Sequence, residues 1–180
     1  QDVIMQKVLL AIAAIFLSSS AFAADPTEPV KKVMDITVKN WSGEADDWKY
    51  IFDEDLLTTL FSKGFVAQYR EASKKPASDV ESGDKGDPFG YDVVTNSQDG
   101  CPLQDVTITP APPKDGVTDV TVKFKLWACM DEAEMKATVD QVNFDVIEED
   151  GRPVINDIHR VGDEGRDSLL QEMTNIIKGE

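Results

Sequence analysis

Apolar residues recur along this chain first at helical and then at strand spacing. Between Asp25 and Trp41, Val30, Met34, Val38 and Trp41 fall three to four residues apart, behind Pro26 and Pro29, which suit a helix start. Gly43 and the acidic stretch after it end that pattern. Asp53 to about Ser73 predicts the strongest helix. Leu56, Leu60, Gly64 and Ala67 form one row, and Leu57, Phe61, Phe65 and Tyr69 form the next. Asp53, Glu54 and Asp55 fill its first turn, where the helix dipole favours negative charge. Residues 74–90 are polar with Gly and Pro, and predict a loop.

The period then changes to two. Val106 and Ile108 lie in a short run ending at Pro110, followed by the turn chemistry of residues 111–116. Val120, Val122, Phe124 and Leu126 alternate with Asp119, Thr121, Lys123 and Lys125, which predicts a strand with one buried face. Met135, Ala137 and Val139 lie on one phase, and Val142, Phe144 and Val146 on the other. That shift predicts a β-bulge near Asp140-Gln141 in one long strand. Asp150-Gly151 is a hairpin signal, and Val154 to His159 is the last predicted strand. Ser168 with Gln171 resembles a capping box, ahead of a short C-terminal helix carrying Leu169, Met173, Ile176 and Ile177. Two N-terminal helices, several antiparallel strands and a closing helix predict an α+β fold, with helices on one face of a curved antiparallel sheet.

The first residues add a destination. Lys7, the ten-residue apolar run Val8–Leu17 and the A-x-A site Ala21-Phe22-Ala23 form a signal peptide starting at Met5, with cleavage after Ala23. The run is half the length a membrane span needs. Residues 1–23 are therefore a leader, and 24–180 one exported domain, periplasmic or secreted. The leader holds one acid, Asp2, and one base, Lys7, so its removal leaves the net charge of -16 unchanged. Such a surface repels nucleic acid and anionic membranes, and suits a cationic protein, or solubility alone. Cys101 and Cys129 are the only cysteines, and in an oxidising compartment they most simply form one disulfide.

The combination resembles a known group. Asp87-Pro88-Phe89 and Gln98-Asp99 after the second helix, and Gly151 followed by Ile155-Asn156-Asp157-Ile158 at the end, are similar to a secreted bacterial family of unknown function. That family has the cystatin-like, nuclear-transport-factor-2-like cone shared with ketosteroid isomerase. Pro153 stands where the family pattern has Trp. The resemblance implies a bent sheet capped by helices, and cones of this kind host enzymes, binding modules and scaffolds alike.

Candidate chemistry is sparse. Asp157 and His159 share one strand face and could do acid–base work in an isomerase or hydratase; equally, they could be a strand-end Asp and a surface His. Tyr91, Asp92 and Asp99 could line a cleft mouth or form a polar loop. Trp127 could be a contact aromatic or cover the core edge. Asp84, Asp87, Asp92 and Asp99 lack calcium-loop spacing, and no metal or cofactor motif is present. The leading expectation is a non-catalytic binding or interaction domain, with Tyr91, Asp99, Trp127 and Asp157 as candidate binding residues. Its partner would be a small ligand or a cationic protein, and a homodimer is open. A cone-type enzyme using Asp157 and His159 is the alternative. An inhibitor or immunity-like protein is the third reading.

Overall fold

The computed structural model describes residues 24–43, 48–75, 77, 86–162 and 165–180. The leader lies outside them, as does most of the stretch 76–85. Helix α1 spans Glu28–Asn40, with a proline in its first turn, and buries Val30, Val33 and Met34. Helices α2 (Glu54–Leu60) and α3 (Lys63–Ala72) follow. Strands β1 (Gln104–Pro110) and β2 (Val117–Lys125), the short helix α4 (Ala133–Ala137) and strands β3 (Asp140–Glu149), β4 (Arg152–Gly162) and β5 (Gly165–Arg166) lead to helix α5 (Leu169–Lys178). The five strands form one curved antiparallel sheet in chain order. The chain is thus α+β, as its pattern predicts.

Hairpin chemistry sets the register. Asp150 and Gly151 both take positive φ, 53° and 76°, and join Glu149 to Arg152 in a two-residue turn. Asp115 and Gly116 do the same between Lys114 and Val117. On the inner face Val120 and Val122 stand opposite Phe144 and Val142, and Phe144 stands opposite Ile158. These residues are fully buried, and Phe124 and Leu126 nearly so. Phe61, Phe65 and Phe52 fill the helical side of the same core. Helices α1, α2, α3 and α5 all pack on β4, which makes the fourth strand the axis of the fold.

Three expectations change. The predicted helix 53–73 is two helices, because Phe61 is extended and forms a parallel bridge to Ile155 of β4. The Ser62 amide donates to the Ile155 carbonyl at 2.8 Å, and the Ser62 hydroxyl accepts from Phe65 N to cap α3. Apolar rows continue through the break, so periodicity alone could not show it. Next, the bulge is not at Asp140-Gln141. The register shifts between Asp145 and Val146, where Asn156 of β4 is the extra residue. Finally, Met135 and Ala137 belong to α4, and β3 starts only at Asp140, so the phase change marks a change of element.

Cys101 and Cys129 are joined by a disulfide across 28 residues. It ties the approach to β1 to the chain just beyond β2, beside the hydrogen bond from Cys101 N to Leu126 O. Gly100 is required there, since a Cβ would lie 2.5 Å from Leu126 Cδ1. Among the described residues, no helix is long and apolar enough to cross a membrane.

Candidate functional site

The main concavity is an open cleft of about 990 Å³, and no strand residue lines it. The expected cleft under the bent sheet is filled by packed Phe and Val side chains. The cleft opens instead among the end of α1, residues 48–54, α3 and residues 86–98. Asn40 fixes the first corner. Its side chain donates to Lys49 O at 2.8 Å and accepts from Lys49 N at 3.0 Å, imitating a strand partner at the helix end. Trp41 continues that corner, donating from Nε1 to Asp92 Oδ2 at 3.1 Å. The other oxygen of Asp92 takes the amides of Val94 and Thr95, the turn geometry Asp favours. Trp48 packs edge-on to Trp41 at 6.0 Å and is 55% exposed.

Aromatic rings form the cleft's floor. Phe52 is buried and contacts Tyr50, Phe61, Phe65, Tyr69 and Phe89. Tyr50 donates to Asp87 Oδ1 at 2.7 Å, and Tyr69 donates to the Gly86 carbonyl at 3.1 Å. Burial pushes the Tyr50 phenol far above its usual range, and the neighbouring Tyr69 and Asp87 add to the shift. Burial likewise pushes Tyr69 up to about 12. Both phenols therefore stay neutral donors, which excludes them as bases or nucleophiles near neutral pH.

Tyr91 reaches this cleft from the opposite wall, held by Arg160. The Arg160 guanidinium also bonds Asp167 Oδ2 at 2.8 Å through Nε and Glu172 Oε2 at 2.6 Å, and sits 5.4 Å from the Tyr91 ring centroid. Tyr91 in turn donates to Glu172. This buried arginine clamps β4, α5 and the 86–98 segment together, so it fixes the cleft's wall without opening onto it.

The other sequence candidates lie elsewhere. Asp99 is exposed, its carboxylate taking the Gly100 amide at 2.8 Å. Trp127 borders a second hollow of about 140 Å³ together with Thr95, Asp140 and Arg160. Among the described residues, Thr95 Oγ1 is buried there without a hydrogen-bond partner. Asp157 and His159 share a strand face and approach to 3.6 Å, yet neither lines either hollow. Asp157 Oδ1 accepts from Leu170 N at 3.0 Å, and Oδ2 from the Ser168 hydroxyl at 2.6 Å, so it anchors the start of α5. Ser168 caps the same helix through Gln171 N, while the Gln171 side chain turns to Asn175 instead of closing the box.

His159 is enclosed by acceptors. Nε2 meets Asp145 Oδ2 at 3.0 Å, and Nδ1 meets the Asp167 carbonyl. Two acceptors demand two N–H donors, which is the imidazolium form. Burial opposes that charge, but the Asp145 bond, the Asp167 carbonyl and the Asp157 carboxylate outweigh it, and the His159 pKa is raised. The His159 bond holds Asp145 below the ordinary carboxylate range, with Arg166 assisting at 2.7 Å. A histidine held as a cation is a poor general base. Among the described residues no group of three or more His, Cys, Asp or Glu is arranged to hold a metal ion.

Sequence reasoning found Tyr91 and Asp92 and missed Trp41, Trp48, Tyr50, Asp53 and Asp87 as one surface. A signal was present. Four aromatics fall between residues 41 and 52, interleaved with acids and bounded by Asp53. Compared with known proteins, the chain matches no family model, no curated protein and no solved structure.

Proposed function

We propose that this chain is an exported, non-catalytic binding domain of the cone-like α+β kind, and that its ligand is a small molecule held in the aromatic cleft. The observation that carries the reading is the cleft itself. Its volume of about 990 Å³ is the size of a small-molecule site, and its aromatic walls are held rigidly by hydrogen bonds at Trp41, Tyr50 and Tyr69. The acid–base pair of the enzyme reading is engaged elsewhere, Asp157 with α5 and His159 with Asp145. The Cys101–Cys129 disulfide supports an oxidising compartment, and the A-x-A site supports export.

Native mass spectrometry of protein purified from envelope extract tests this. Protein beginning at Ala24 should carry a bound small molecule, and Trp48→Ala should release it. Protein that retains Met5, or a ligand that Trp48→Ala leaves bound, would overturn the corresponding half of the reading.

A further inference from the structure

Resting on the cleft as the ligand site, the geometry points to the class of ligand: a small organic ammonium ion with an apolar body. The neutral polar groups of the cleft are already committed. Both ends of the Asn40 amide bond Lys49, the Gln98 amide donates to the Gly90 carbonyl, and the Trp41 indole and the Tyr50 and Tyr69 hydroxyls donate to protein acceptors. Besides the exposed Lys49 ammonium, what the described residues leave for a ligand is acceptors and ring faces. Asp87 uses only Oδ1, for Tyr50 and Phe89 N, and leaves Oδ2 uncommitted among the described residues. The Asp53 carboxylate has no hydrogen bond or ion pair among the described residues, although it stands at the start of α2.

Charge points the same way. Asp53, Glu54, Asp87 and Asp92 outnumber Lys49 and Arg70 in the lining, and Arg70 is paired with Glu54. The whole chain adds a net charge of -16, which draws cations towards it. Indole and phenol faces attract a cation placed over them, most strongly when it is partly desolvated. Exposed Trp48 beside Trp41, with Tyr50 and Asp87 deeper in the cleft, offers such faces next to a carboxylate. A neutral ligand would gain only the apolar part of this surface. An anion would meet four carboxylates, Asp53, Glu54, Asp87 and Asp92, against the two cations Lys49 and Arg70.

Isothermal titration of the protein from Ala24 with phenylbutylamine, phenylbutanol, phenylbutyrate and tetralysine tests the assignment. Phenylbutylamine should bind roughly fivefold to tenfold tighter than phenylbutanol, and phenylbutyrate weakest of the three. Asp53→Asn, which keeps the shape and removes the charge, should abolish most of that preference. Trp48→Ala should weaken both the amine and the alcohol. Phenylbutanol binding as tightly as the amine would overturn the ammonium assignment and leave the binding cleft standing. Equal or tighter binding of tetralysine, which brings charge without the aromatic body, would overturn the small-molecule form. No heat with any probe would remove both the assignment and the cleft.

Discussion

The Ser62 hydroxyl donates to Asn156 Oδ1 at 2.9 Å, so the break between two helices is bolted to the bulge in a strand. Ser62 is 1% exposed and also caps α3 and pairs through its amide with Ile155. Ser62→Ala removes the cap and strands the Asn156 acceptor. It should cost about 1–3 kcal/mol in urea unfolding. A loss too small to measure would mean that the bulge and the helix break are independent.

Asp157→Ala should destabilise by a similar amount, about 1–3 kcal/mol, because the Leu170 amide and the Ser168 hydroxyl lose their acceptor. The damage should be local. Hydrogen exchange should quicken across α5 before it quickens in β2, and Asp157→Asn should be milder because it retains an acceptor oxygen.

The His159–Asp145 pair makes stability depend on pH with a known sign. His159 is raised above 6.5, so its contribution is complete below that value and is lost as pH rises through the raised folded value. Asp145 is lowered from 3.8, so its contribution is complete above that value and is lost as pH falls through the lowered one. The pair therefore stabilises most between the two. Unfolding midpoints of wild type and His159→Gln should differ more near pH ~5 than near pH ~8. A constant difference across that range would contradict the ion pair.

Thiol labelling of native protein should be negligible until it is reduced. Opening the Cys101–Cys129 loop of 28 residues should then lower stability by about 3–4 kcal/mol in the chain-entropy account. The cost should fall on the link between residues 86–101 and the end of β2, so ligand binding in the cleft should weaken before the sheet melts.

Local chemistry carried most of the fold into view. Alternation marked β2, Asp150-Gly151 marked the hairpin between β3 and β4, and Ser168 marked the start of α5, because each signal acts over a few residues. The split at Phe61-Ser62 and the bulge at Asn156 were not legible, since each exists to fit the other across 94 residues of sequence. The cleft was legible only as composition. Trp41 and Asp92 meet across 51 residues, and Tyr50 and Asp87 across 37, distances at which neither period nor motif speaks. Asp157 is legible by its type but not by its partner, because the helix it anchors lies on the far side of another hairpin.

Strand β4 is made late, yet α1, α2 and α3 all lean on it. Helices begun near residue 28 therefore lack their main packing surface until residues 152–162 have been synthesised. Such long-range closure makes folding slow and nearly all-or-none with respect to chain length. A ribosome-bound fragment ending before Arg152 should remain protease-sensitive throughout, and the addition of β4, β5 and α5 should protect it in a single step. A polypeptide whose first helices cannot pack until β4 has emerged also stays extended and threadable up to that point.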